Sequence, residues 1–150
     1  MPNILLRASS IGNIMAYPEK DTLADGAKTY LEKLASQYIL DWRENLNTFE
    51  IEKGKACEDI SIDLYNLSQD TFYMKNTARI SNDLMTGECD ILDQEKSLVI
   101  DIKTAYSKKT FPMFLTASKL YEWQLRCYMH LYNVDNAELA YCLVSTPEHL

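Results

Sequence analysis

Apolar residues along the chain fall first into helical and then into strand periods, and the order of those periods predicts the architecture. Residues Arg7 to Ala16 read as a short helix led by Ser9 and Ser10. After the Tyr17-Pro18 break, the stretch from about Asp21 to Asn45 carries Leu31, Leu34, Ala35, Tyr38, Ile39 and Trp42 at i, i+3, i+4 spacing. That stripe predicts a helix with one core-facing side. A second helix is predicted from about Glu52 to Leu67, followed by strands around Thr71 to Ile80, Leu84 to Asp93 and Ser97 to Thr104. In the third strand, Leu98-Val99-Ile100 is the short apolar run of a buried strand. A polar, Lys-rich loop with Pro112 leads to a helix over about Thr116 to Tyr132, and Glu138 to Val144 closes as a strand. This order specifies an α/β (α+β) fold, a small mixed β-sheet flanked by helices. No internal repeat or Ser/Gly/Pro linker interrupts it, so residues 1–150 read as one domain, with an N-terminal helical part over 1–50 and a core over 51–144.

Composition narrows the function classes. With 150 residues, 47% hydrophobic and 25% charged, the chain is globular and long enough for a real core. Its formal charge of −7 excludes a polyanion binder that works by bulk positive charge. A nucleic-acid enzyme stays open, because bound divalent cations reverse the local sign. Cys57, Cys89, Cys127 and Cys142 are scattered without a CxxC pair, which excludes a zinc finger or ribbon and points to reduced thiols inside a cell. The start reads as no signal peptide, and no apolar run approaches the roughly 20 residues of a membrane span. With only His130 and His149, the chain gives little support to a Ser/His/Asp hydrolase or a His-metal nuclease.

The informative positions are polar residues where the local pattern wants apolar ones. On the helix around Glu58, Lys55, Asp59, Asp63 and Asn66 share a polar arc, with Ala56, Ile60, Leu64 and Leu67 opposite. Glu58 groups with Ile51, Gly54, Ile62 and Tyr65, away from solvent. It is either a paired, partly desolvated carboxylate or one that snorkels at the edge. Strand alternation sends Leu98, Ile100 and Ile102 to one face and Val99, Asp101 and Lys103 to the other. Asp101 and Lys103 then form either a cleft lining or an internal ion pair. A hairpin through Asp93-Gln94-Glu95-Lys96 brings Asp90 close to Asp101, and two carboxylates at that range need a proton or a cation. A divalent ion held by one or two carboxylates is the natural solution. Gln124 interrupts the apolar stripe of the last helix, so its amide orients a neighbour, meets a ligand or bonds a strand end.

In order, Glu58, Gly87-x-x-Asp90, Asp101-Ile102-Lys103 and Gln124-x-x-x-Tyr128 resemble the PD-(D/E)xK nuclease superfamily. The resemblance is strongest to its RecB-like branch, including YqaJ-type phage recombination exonucleases similar to lambda exonuclease. Lys53-Gly54-x-x-x-Glu58 is similar to the Gly-x-x-x-Glu that opens that branch's catalytic helix. The match covers about residues 51 to 144. In the second motif Cys89 replaces the usual Pro, and relatives tend to continue beyond the last strand. No late cysteine cluster of the iron–sulfur branch is present, so no such cluster is expected. Ala8-Ser9-Ser10-Ile11-Gly12 resembles a segment near the DNA 5′ end in relatives, which makes Ser9 a candidate phosphate contact; a helix N-cap is the alternative.

What the resemblance implies is specific. The fold is a restriction-endonuclease-like core of order α-β-β-β-α-β behind N-terminal helices. Glu58, Asp90 and Asp101, with the Ile102 carbonyl, hold one or two Mg²⁺ ions, with Mn²⁺ as a substitute. Lys103 positions or deprotonates the attacking water and stabilises developing charge, while Gln124 and Tyr128 hold the site and contact DNA. Lys108 and Lys109, with Lys53, Lys55 and Lys119, steer phosphates, although Lys108 and Lys109 also read as a solvated loop. The implied activity is a Mg²⁺-dependent DNA exonuclease of phage or prophage recombination or DNA repair. A non-catalytic DNA-binding or assembly module and a structure-specific or restriction-type endonuclease are the alternatives on the same fold. Implied partners are DNA, a single-strand annealing protein and further copies in a ring; no membrane is involved, and the setting is the cytoplasm of a bacterium or a phage-infected cell.

Overall fold

The computed structural model describes residues 4–44, 47–114 and 117–148. Strand β1 (Leu6–Arg7) runs into a 3₁₀ turn over Ala8–Asn13, then come helices α1 (Asp25–Ile39), α2 (Phe49–Ala56) and α3 (Glu58–Gln69). Strands β2 (Ile80–Ser81), β3 (Met85–Gly87), β4 (Ile91–Asp93) and β5 (Leu98–Thr104) follow, before helix α4 (Lys119–Tyr132) and strand β6 (Asn136–Cys142). They form two small mixed sheets. In one, β3 lies between parallel β1 and antiparallel β2; in the other, β5 lies between antiparallel β4 and parallel β6.

The second sheet is the centre of the fold, and both faces of β5 are covered. Ile100 and Ile102 pack with Ile62 and Tyr65 of α3, Ile91 of β4 and Cys142 of β6. Val99, on the opposite face, packs with Cys127, Tyr128 and Tyr132 of α4. Helix α4 starts where the Ser118 hydroxyl accepts the Tyr121 N–H, and it ends at Asn133 in the left-handed region. Gly87 lets the chain pass close beneath that helix, since a Cβ there would sit 2.9 Å from both Ala8 and Tyr128. All four cysteines are buried free thiols. Among the described residues, no helix is long and apolar enough to cross a membrane.

Several elements differ from the pattern-based expectation, each for an identifiable reason. The helix expected over Arg7 to Ala16 is a short strand and a 3₁₀ turn, because Leu6 and Arg7 pair with Met85 and Thr86. Ser9 lies inside that turn, whose N-cap is Arg7, so Ser9 caps nothing. The single helix over Glu52 to Leu67 is two helices broken at Cys57, which is fully buried with its thiol towards the Ser145 carbonyl. The break makes Glu58 the first residue of α3. The inward side of α3 is Ser61, Ile62 and Tyr65, while Ile60, Leu64 and Leu67 face out.

The strand expected over Thr71 to Ile80 is mostly irregular, because side chains take its backbone groups. The Asn66 amide bonds both N–H and C=O of Tyr73, and the Asn76 Oδ1 accepts the Ala78 N–H at 3.2 Å, while one isolated backbone bond runs from the Asn76 N–H to the Asp90 carbonyl at 2.7 Å. The strand over Leu84 to Asp93 divides at Glu88–Asp90, where the Cys89 N–H turns to the Tyr132 hydroxyl. In α1 only Ala27 is buried; Leu31, Leu34 and Ala35 are half-buried, and Tyr38, Ile39 and Trp42 are exposed. The end of α1 at Ile39 takes Trp42 off the helix altogether. Thr116, the expected start of the last helix, and His149 lie outside the described residues.

Candidate active site

The hairpin between β4 and β5 pairs Asp93 with Leu98 and Ile91 with Ile100, so Asp90 stands opposite Asp101 one step beyond the last pair. Its turn is set by the Asp93 carboxylate, which accepts the Lys96 N–H, and by Ser97 in the left-handed region. At the far end, the Asp90 carboxylate accepts the Ile102 N–H at 2.6 Å. Asp101 and Lys103 project towards α4, and Gln124 comes down from α4 between them. Gln124 Nε2 donates to Asp101 Oδ1 (3.2 Å) and to the Tyr128 hydroxyl (2.9 Å). Its Oε1 accepts from Lys103 Nζ at 3.2 Å. The buried amide thus spends both of its ends inside the site.

These groups line one face of an open cleft of about 660 Å³, and Glu58, Lys55, Tyr121 and Arg7 line the rest. That volume is in the range of small-ligand sites. Asp101 is 3% exposed and Gln124 4%. Asp101 Oδ2 lies 2.8 Å from Lys103 Nζ but out of line for a hydrogen bond, and it is a buried oxygen with no other partner. Burial holds the Asp101 carboxyl above the usual carboxylate range, against the pull of Lys103. Burial and then the Asp101 charge push Asp90 up to about 7, with the Ile102 N–H opposing and Glu58 adding to the repulsion. Burial also raises the Tyr128 phenol, which stays neutral.

Glu58 reaches the cleft from the first turn of α3, where it pairs with Lys75 at 2.7 Å. Among the described residues, no three Asp, Glu, His or Cys side chains converge as ligands around one point. Lysines occupy the carboxylates instead: Lys75 on Glu58 and Lys103 on Asp101. The donor set still suits a hard divalent cation. Two carboxyls raised by burial and by neighbouring carboxylates (Asp101 and Glu58 acting on Asp90, Glu58 on Asp101), and one buried oxygen whose sole close neighbour is the Lys103 ammonium, make an electron-rich, under-neutralised site.

Glu58, Asp90, Asp101, Ile102, Lys103, Gln124 and Tyr128 therefore meet at one cleft, as the motif order implied. Other expected contacts do not. Ser9 is exposed and does not line the cleft, whereas its neighbour Arg7 does. Lys108 and Lys109 lie on the exposed loop beside the cleft residues Tyr106 and Thr110. Lys119 is exposed and pairs with Glu122. Lys53 steers no phosphate: it is 2% exposed, and its ammonium donates to the carbonyls of Tyr106 and Val144 at 2.9 and 2.8 Å. Its helical spacing from Glu58 gave no sign of that burial. Lys75 and Arg7 escaped notice because neither belongs to a local pattern; only the fold brings them to the carboxylates.

No protein-family model matches the chain, and no curated protein matches it. Solved structures do. A phage-related exonuclease from Haemophilus somnus 129PT superposes with a TM-score of 0.92 at 28% identity, over 99% of this chain and 72% of the other. An alkaline exonuclease from Laribacter hongkongensis superposes with a TM-score of 0.75 at 14% identity, over 98% of this chain and 73% of the other. The structure of that enzyme in complex with dAMP gives a TM-score of 0.73 at 14% identity, over 99% and 72%. The two comparisons at 14% show the fold alone. By fold along almost its whole length, the chain is similar to a phage-related exonuclease, in line with the resemblance that its motifs carry.

Proposed function

We propose that this protein is a divalent-metal-dependent nuclease that hydrolyses DNA from an end, in the setting of phage-type recombination or DNA repair. The observation that carries the reading is the meeting of Asp90, Asp101, Lys103 and Gln124 in one cleft, with the buried Asp101 Oδ2 held by the Lys103 ammonium alone. The whole-chain likeness to a phage-related exonuclease at 28% identity supports it. Glu58, Asp90, Asp101 and the Ile102 carbonyl would hold Mg²⁺ or Mn²⁺, which supplies Lewis acidity towards water and the scissile phosphate.

The chain's own groups do the remaining work. Lys103 has three protons to donate and one aligned partner in the protein, so its ammonium is available to a phosphate oxygen or to the attacking water. Asp101 and Gln124 hold that ammonium in place, and the neutral Tyr128 hydroxyl fixes the direction of the Gln124 amide. In hydrolysis, the water oxygen bonds to phosphorus while one P–O ester bond breaks and its oxygen takes a proton. Arg7, Lys55 and Lys103 set three cationic side chains among the cleft's four carboxylates, Glu50, Glu58, Asp90 and Asp101, and a bound divalent ion would tip that balance towards a phosphate.

The test compares linear duplex and closed-circular DNA with Mg²⁺, with EDTA and with Asp101→Ala. The reading predicts loss of the linear DNA alone, abolished by EDTA and by the substitution. Cutting of the circle would make the enzyme an endonuclease on this fold, and no cutting in any arm would contradict the assignment.

A further inference from the structure

Lys75 sits at the carboxylates although no motif requires a lysine there. Its Nζ is 2.7 Å from Glu58 Oε2, and the carboxylates of Asp59 and Asp90 add to the field at the same ammonium. The segment that carries it has no strand pairing of its own, yet it is held on both sides. Two residues before Lys75, both backbone groups of Tyr73 are bonded by the Asn66 side chain. One residue after it, the Asn76 N–H donates to the Asp90 carbonyl, and the Asn76 amide donates to the Cys89 carbonyl and the Tyr132 hydroxyl. A lysine on a loose loop would lose most of a surface pair to side-chain and backbone entropy. Here the backbone is fixed before the pair forms, and the same bonds tie it to Asp90.

We propose that Lys75 is a built-in counter-ion for Glu58, which an incoming divalent ion must displace, so that this lysine sets how tightly the site takes its metal. The inference rests on the metal-site reading given above. An ammonium supplies one positive charge to Glu58 and keeps the three carboxylates from opening the cleft while no metal is bound. Glu58 cannot give the same lone pairs to a metal and to Lys75, so the lysine is a competitor and acts as a positioning residue through Glu58.

Calorimetric titration of Mn²⁺ into the metal-free protein tests this without reference to catalysis. Lys75→Met should bind the ion about three- to fivefold tighter than wild type, the range set by a partly exposed pair. Lys75→Arg, which keeps the charge, should bind like wild type. Lys55→Met removes an equal charge from the cleft lining but no partner of Glu58, and it should also bind like wild type. Equal or weaker binding by a Lys75→Met protein that melts like wild type overturns the inference while leaving the metal site standing. Equal tightening in Lys55→Met also overturns it, because a general field would then explain the effect. If neither wild type nor Lys75→Met binds Mn²⁺, the metal site itself fails and takes the inference with it.

Discussion

The two faces of β5 are built on different terms. Towards α3, Ile100 and Ile102 join an apolar cluster, and Ile100 is completely buried. Towards α4, the strand begins in the same way at Val99, then turns to Asp101 and Lys103 over the next four residues. Both faces are shielded, but only one contains charge. Burying a carboxylate costs several kcal/mol unless something pairs with it, and the pairing of Asp101 is incomplete. One face therefore contributes stability, and the other holds a buried charge at a cost to stability, as the proposed nuclease site requires. Substitutions on the two faces should therefore separate activity from folding.

The largest effect should come from the charged face. Lys103→Ala removes the one ammonium bonded to Gln124 beside Asp101; DNA hydrolysis by the folded protein should fall on the order of a thousandfold, and the melt should drop as well because Asp101 loses its counter-ion. Hydrolysis within tenfold of wild type would show that the charged face is structural. On the apolar face the effect inverts. Ile100→Ala should cost about 3 kcal/mol in urea unfolding, because it empties a fully buried site, and the molecules still folded should retain their turnover.

Next comes pH. Asp90 is pushed up to about 7 in the folded, metal-free protein from an ordinary value near 3.8. Between these values the native state keeps a proton that the unfolded chain has released, so stability in EDTA should fall as pH rises from about 4 to about 7. Discounted for the open cleft, the loss is on the order of 2 kcal/mol, and Asp90→Asn should flatten the slope. Urea melts at pH 5 and pH 7.5 measure it. The smallest effect is remote: Ser118→Ala should cost about 1 kcal/mol by removing the cap of the helix that carries Gln124.

The same contrast explains what could be read from the chain. The alternation over Leu98 to Lys103 was legible because a period of two along one strand assigns each residue a face, and Asp90 followed from the hairpin. Gln124 was legible as a polar break in an apolar stripe. Other features depended on tertiary contacts that no local period carries. Helix α2 ends at Cys57 because that thiol and Lys53 are enclosed by segments near Tyr106 and Ser145, far along the chain. Lys75 reaches Glu58 only because Asn66 and Asn76 fix the segment between them. The stripe of α1 misled because helical spacing shows which residues share a side, not whether anything covers it.

On the proposed function, the charged face of β5 is retained for catalysis and not for folding. Asp101→Asn tests it most directly, because it keeps the shape and removes the charge. Melting of the metal-free variant and its Mg²⁺-dependent hydrolysis of linear duplex DNA are to be measured on the same preparation. The expected result is a melting temperature equal to or above wild type, with hydrolysis abolished. A variant that hydrolyses DNA normally, or that loses activity only because it unfolds, would contradict it.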